Sequence, residues 1–177
     1  MPGMADETFA GTVVYLCEHN EKGALGLVIN KPIDIKLKNL FEKVELKLDR
    51  KELGEQPVFF GGPVQTERGF VLHERLSEGS SAFNSTLSVP GGLEMTTSKD
   101  VLEAMAEGGG PQRVLVTLGY SGWQAGQLED EIGRNGWLTV GADPVVIFDT
   151  PVEKRYDRAV SLLGIDPRML SQEAGHA

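Results

Sequence analysis

Two apolar runs open the chain. Thr12 to Cys17 is β-branched, aromatic and continuously apolar, which predicts a central strand covered on both faces. Gly23 to Asn30 is a second run, and His19-Asn20-Glu21-Lys22-Gly23 lies between them as a short polar link ending in glycine. That order predicts a hairpin whose closing glycine adopts a positive φ. Lys31-Pro32 should end the second strand, because proline has no ladder donor. Leu37, Leu40, Phe41 and Val44 then recur at i, i+3, i+4 and i+7, one face of a helix of about two turns. Glu45 to Gln56 is charged and reads as loop, and Val58 to Val64 as a short strand running into a turn at Gly61-Gly62-Pro63. Gly69 to His73 should be another strand, and Ser77 to Ser88 turns or edge structure.

The second half mixes the two periodicities. Leu93 to Thr97 reads as a short strand, followed by a helix from Ser98 as N-cap to Ala106, with Val101, Leu102 and Met105 facing inward. Gly108-Gly109-Gly110-Pro111 stops it. Arg113 to Leu118 is a strand and Ser121 starts a helix, with Gln124 completing a capping box. Trp137 to Val140 reads as a strand. Asp143-Pro144 predicts a capped helical turn, and Thr150-Pro151 a helix continuing to Leu163 with Gly164 as its stop. Strand pairs come first, then helices and strands without strict alternation. This favours one α+β domain, residues 1–166, over a doubly wound sheet, with a polar tail at 167–177.

Composition narrows the class of partner. The 177 residues are 40% hydrophobic, enough for one sizeable core, and the net charge is -9. Phosphate binding is driven by Lys and Arg, so that charge argues against nucleic acid as a partner. Lys36, Lys38, Lys43, Lys47, Arg50 and Lys51 do gather in one stretch, but Glu42, Glu45 and Asp49 dilute them to a solvated helix face and loop. The single Cys17 cannot form an internal disulfide, which fits a reducing compartment. No apolar run reaches the roughly 18 residues of a membrane span, and no signal peptide is visible. A cytoplasmic protein without membrane association is expected; oligomeric state is left open.

The segment Leu118 to Leu138 carries both tryptophans and five glycines beside an acidic helix pattern. Gly119-Tyr120-Ser121-Gly122-Trp123 invites comparison with a nucleophile elbow. However, Trp123 occupies the final glycine position and the sole later histidine is His176 in the tail. A capping role for Ser121 is the better reading. The same helix start could attract an anion, but Glu129, Asp130 and Glu131 oppose one. Cys17 and His19 share a strand face, and His73 would have to join them for a metal site; a buried core thiol is the simpler expectation. Nucleotide fingerprints are absent and no cofactor is expected.

With these motifs assembled, the chain resembles the AlgH/YqgE family of small bacterial proteins. The matching segments are Met1 to Met4, Tyr15 to Asn20, Gly23 to Pro32, Phe60 to Val64, Leu118 to Trp123 with Gln127-Leu128-Glu129, and Asn135 to Leu138. Family members carry a short segment ahead of the Met-Pro motif, so this chain starts late relative to them. The resemblance implies a single α+β domain whose strand-hairpin-rich sheet curls into a barrel-like shape with flanking helices. It implies no established reaction, and the label of exopolysaccharide regulator belongs to one branch.

Two classes of function follow. With no complete catalytic set, a non-enzymatic regulator or adaptor acting through an unidentified protein partner is favoured. The alternative is an enzyme or small-ligand-binding protein with a site between the 61–63 and 119–123 turns. Both readings predict that Gly61, Gly62 and Pro63 meet Gly119, Tyr120, Ser121, Gly122 and Trp123 in space as a recognition surface, because glycine permits close backbone approach and tryptophan offers contact area; the alternative is that the glycines serve tight packing and Trp123 is simply core.

Overall fold

The two opening apolar runs form the expected hairpin. In the computed structural model, which describes residues 8–75, 83, 85–97 and 99–164, β1 (Val14–Asn20) pairs antiparallel with β2 (Gly23–Val28). Gly23 closes the turn with φ +141°. A Cβ there would overlap the carbonyl oxygen of Trp123, so the neighbouring strand also requires glycine.

The remaining elements follow as β3 (Pro32–Lys36), α1 (Leu37–Lys43), α2 (Lys51–Gly54), β4 (Pro57–Phe60), β5 (Val64–Glu74), β6 (Thr86–Val89) and β7 (Leu93–Thr96). Then come α3 (Asp100–Ala106), β8 (Val114–Gln124), α4 (Gln127–Gly133), α5 (Pro144–Phe148), a 3-10 turn (Val152–Lys154) and α6 (Arg155–Ser161). The strands order as β1-β2-β8-β5-β7-β6, with β4 joining β8 in parallel and β3 pairing β4. The sheet curls until its ends face each other, and the Tyr15 hydroxyl on β1 donates to the Pro90 carbonyl beyond β6. The result is a nearly closed, mostly antiparallel barrel in one α+β domain.

Both faces of the sheet are covered at its centre, which is why Phe70 to Leu72 of β5 and Val114 to Val116 of β8 read as continuous apolar runs. Phe70, Leu72 and Leu115 face one core with Leu27, Ile29, Phe59 and Ile147. Val71, Val114 and Val116 face the other, filled by Leu37 and Phe41 of α1 and Val101 and Met105 of α3. His73 is fully buried near the second core; its ring nitrogens engage the Glu74 carbonyl and, at 2.7 Å, the Thr96 hydroxyl.

Several expectations are corrected. β1 stands at an end of the strand order, not at its centre: Tyr15 and Cys17 are buried, whereas Val14 and Leu16 are half-buried and line an open groove. Lys31-Pro32 does not end β2, which stops at Val28; Pro32 instead opens β3, a position where its missing donor is harmless. The charged 45–56 stretch contains the short α2. Ser121 does not start a helix. β8 runs through it to Gln124, and α4 begins only at Gln127 after Gly126 in a left-handed conformation. Trp137 to Val140 is not a strand, and the last helix is shorter than 150–163. Thr150 spends its hydroxyl on the Val145 carbonyl of α5 rather than on the final helix. The Asp143 cap is as expected, its carboxylate accepting the Val145 amide at 3.0 Å. The Ser98 cap, much of 77–84, the Met1-to-Met4 motif and the tail with His176 lie outside the described residues.

Candidate functional site

The two glycine turns meet. The Gly61 amide donates to the Leu118 carbonyl at 2.9 Å, and the Ser121 hydroxyl donates to the Gly61 carbonyl at 3.1 Å. A Cβ on Gly62 would overlap the backbone of Tyr120, and one on Gly119 would overlap the Gly62 carbonyl oxygen. Gly119 bends β8 with φ +77°, a conformation other residues adopt only under strain. This bend lets one strand serve two neighbours: β5 along Val114 to Leu118, with Val64 opposite Tyr120, and β2 along Ser121 to Gln124.

Gly61, Gly62, Gly119 and Ser121 are therefore buried in a tight backbone junction, while Pro63 and Gly122 are exposed and Tyr120 is half-buried. Tyr120 packs edge-on against Phe70 at 5.5 Å. Ser121 faces a carbonyl inside the sheet and has no histidine partner among its described contacts.

Trp123 faces away from this junction into a different feature. It borders a groove of about 480 Å³ whose walls are β1, α4, the 137–142 segment and α6. Trp123 and Trp137 pack edge-to-face with centroids 5.7 Å apart, and Phe9 packs against Trp137 at the same distance. Gly61, Gly62 and Pro63 do not line it.

Leu138 and Val140 are 42% and 38% exposed at the groove, and Leu162 and Leu163 are 39% and 37% exposed. Sequence reasoning missed this groove because Trp137 to Val140 reads as a strand and Leu162-Leu163 as buried helix. The detectable signal was the same in both places: large apolar residues that no periodicity required.

Burial, with smaller contributions from Cys17 and Asp143, pushes the Tyr15 phenol up to about 12, and its hydroxyl is already committed to Pro90. Burial likewise pushes the Cys17 thiol up to about 12. Cys17 is buried while His19 is exposed, so the two do not act together; a register shift between Leu16 and Glu18 separates their pattern. His19 instead pairs with Glu129 of α4, whose carboxyl is held below its ordinary range chiefly by that hydrogen bond. Among the described residues no trio of His, Cys, Asp or Glu is arranged to hold a metal.

Arg155 is a further structural residue that the sequence did not single out. Its guanidinium donates to the Ile29 carbonyl and, at 3.1 Å, to the Thr150 carbonyl, and lies 5.1 Å from the Phe59 ring centroid. It ties α6, and with it one wall of the groove, to the barrel.

Fold and site together define a small single-domain α+β protein: a nearly closed sheet locked by a glycine junction, with an apolar groove at its flank. The profile of the AlgH-like family (DUF179) matches residues 1–168, and the chain belongs to that family. A UPF0301 protein of Ralstonia nicotianae is 70% identical over 177 residues, covering all of this chain and 91% of that one. A UPF0301 protein of Variovorax paradoxus is 68% identical over 182 residues, covering all of this chain and 92% of the relative. The solution structure of the AlgH protein from Pseudomonas aeruginosa superposes with a TM-score of 0.78 at 49% identity, covering all of this chain and 92% of that one. A crystal structure of protein DIP2367 from Corynebacterium diphtheriae shares the fold, with a TM-score of 0.66 at 22% identity over 89% of this chain and 81% of that one. No described helix is long and apolar enough to cross a membrane.

Proposed function

We propose that this protein is a non-enzymatic regulator or adaptor of the bacterial cytoplasm, and that it acts by holding a partner protein in the groove beside Trp123. One observation carries the reading. Of the five large exposed hydrophobic residues in the described chain, Leu138, Val140, Leu162 and Leu163 line this one groove. Single exposed apolar residues are ordinary, but a cluster marks an interaction site. The surface predicted from sequence divides accordingly. Gly61, Gly62, Gly119 and Ser121 hold the junction, Pro63, Tyr120 and Gly122 supply its accessible edge, and Trp123 belongs to the groove instead. A protein rather than a nucleic-acid partner is supported by the basic stretch itself, where Lys36 and Lys38 both engage Glu55, and Arg50 is held by Glu52 and by carbonyls of the 109–112 loop.

A second reading, binding of a small ligand, draws support from Trp137. It lines the groove, and its indole nitrogen is buried without a hydrogen-bond partner among the described residues. The two readings separate in cells. A photo-crosslinking residue at position 138 should capture discrete protein adducts, and Val140→Asp in the same chain should abolish them without lowering the Tm. Absence of adducts, together with a metabolite that copurifies and stabilises the protein, would overturn the adaptor reading in favour of the second.

A further inference from the structure

We infer that the occupant of the groove is an amphipathic segment of the partner, apolar on one face with Lys or Arg beside it, and that Asp143 receives the cation. The inference rests on the adaptor reading above and specifies its chemistry.

Two observations select this occupant. The walls are apolar: Val14 and Leu16 from β1, Leu128 and Ile132 from α4, and Leu138 and Val140 from the connecting segment. An apolar helix face with anchors at i, i+3, i+4 and i+7 fits such a groove. Second, the charge is one-sided. Asp143 is the carboxylate in the lining, and its Oδ1 accepts the Val145 amide, leaving Oδ2 for another donor.

The two helices that form the groove's rim carry acids in their first turns, Glu129 and Asp130 in α4 and Asp157 in α6. Glu129 is engaged by His19, Asp130 by Arg134 at 3.2 Å, and Arg155 is turned inward to Ile29 and Thr150, while Arg158 is exposed on α6; Asp143 in the lining has no ion pair among the described residues. With a net charge of -9 behind this rim, a fatty-acid carboxylate or lipid phosphate meets repulsion, whereas a basic flank meets attraction.

The test uses the full chain and three synthetic probes. The first is a helical peptide of leucine and lysine of about 14 residues, the second its leucine and glutamate counterpart, and the third a peptide of residues 165–177 of this chain. Both tryptophans of the protein line the groove, so intrinsic fluorescence reports occupancy directly.

The leucine–lysine peptide should bind saturably, shift the tryptophan emission, and lose affinity as salt rises. Leu138→Asp with Val140→Asp should abolish binding; both positions are already exposed, and unchanged urea unfolding checks that the fold survives. Asp143→Asn is the sharper variant, because asparagine caps a helix as well as aspartate while removing the charge. It should weaken the leucine–lysine peptide about five-fold, the scale of a partly exposed ion pair.

Equal binding of the leucine–glutamate peptide overturns the inference while leaving an apolar groove in place. Tighter binding of the 165–177 peptide, or a dimer in sedimentation equilibrium that Leu138→Asp dissolves, overturns it in favour of the chain's own tail or a second copy. Failure of every probe to reach the groove removes the adaptor reading as well.

Discussion

Ser121→Asp is the substitution on which local sequence logic and the tertiary structure disagree most. As the N-cap of a helix, Ser121 should accept aspartate at little or no cost, because the two residues cap equally well. In the structure the position is fully buried within β8, its ladder partner is Gly26, and its hydroxyl donates to the Gly61 carbonyl. Neither neighbour brings a side-chain donor. The exchange therefore removes a hydrogen bond of about 1 kcal/mol and sets an ionised acceptor against a carbonyl acceptor. An uncompensated buried charge costs about 3–5 kcal/mol, a large part of the roughly 5–15 kcal/mol that holds a domain folded.

Urea unfolding followed by tryptophan fluorescence measures the cost. At a slope of about 2 kcal/mol per molar, the midpoint should fall by about 2 M. Ser121→Ala is the control and should cost only about 1 kcal/mol, since the Gly61 carbonyl keeps the Val28 amide at 2.9 Å. The sign with pH is also determined. Burial raises the folded pKa of the introduced carboxyl, so the penalty grows as pH rises above about 4, the unfolded value, and shrinks in acid, where the neutral group can donate to Gly61. A Ser121→Asp protein as stable as the parent at neutral pH would refute the buried-strand placement of Ser121 and restore the cap.

Three further outcomes are expected. Gly119→Ala should destabilise by more than the about 1 kcal/mol of left-handed strain alone, because its Cβ also strikes Gly62; thermal unfolding checks this, and an unchanged Tm would mean that the two turns are not in contact. Cys17, its thiol pushed up to about 12 by burial, should resist iodoacetamide in the native protein at pH 7 and react on unfolding, as mass spectrometry will show; rapid native alkylation would contradict its burial. Hydrogen bonds from Lys36 and Lys38, at 2.5 and 2.7 Å, hold the Glu55 carboxyl down to about 2. Its folded pKa is depressed, so its contribution is present above the ordinary carboxylate range and fades as pH falls toward 2. The stability difference between parent and Glu55→Gln should therefore vanish in acid and shrink in high salt; a difference independent of both would exclude the ion pairs as its source.

The features that depend on near neighbours in the chain were determined by the sequence itself. The β1–β2 hairpin, the α1 face of Leu37 and Phe41, the α3 face of Val101 and Met105 and the Asp143-Pro144 cap all follow from short-range periodicity and turn chemistry. The meeting of the two glycine turns was also legible, since Gly61, Gly62 and Gly119 sit where only a close backbone approach would need them. Tertiary structure decided whatever had to choose between two local preferences. Ser121 could cap a helix or continue a strand, and the β2 ladder with the Gly61 carbonyl outweighed a cap of about 1 kcal/mol. Trp137 to Val140 could form a strand, but without a strand partner their apolar side chains line the groove instead. The groove is assembled from β1, α4, the 137–142 segment and α6, segments far apart in sequence, and only their packing brings Trp123, Leu138 and Leu163 to one surface.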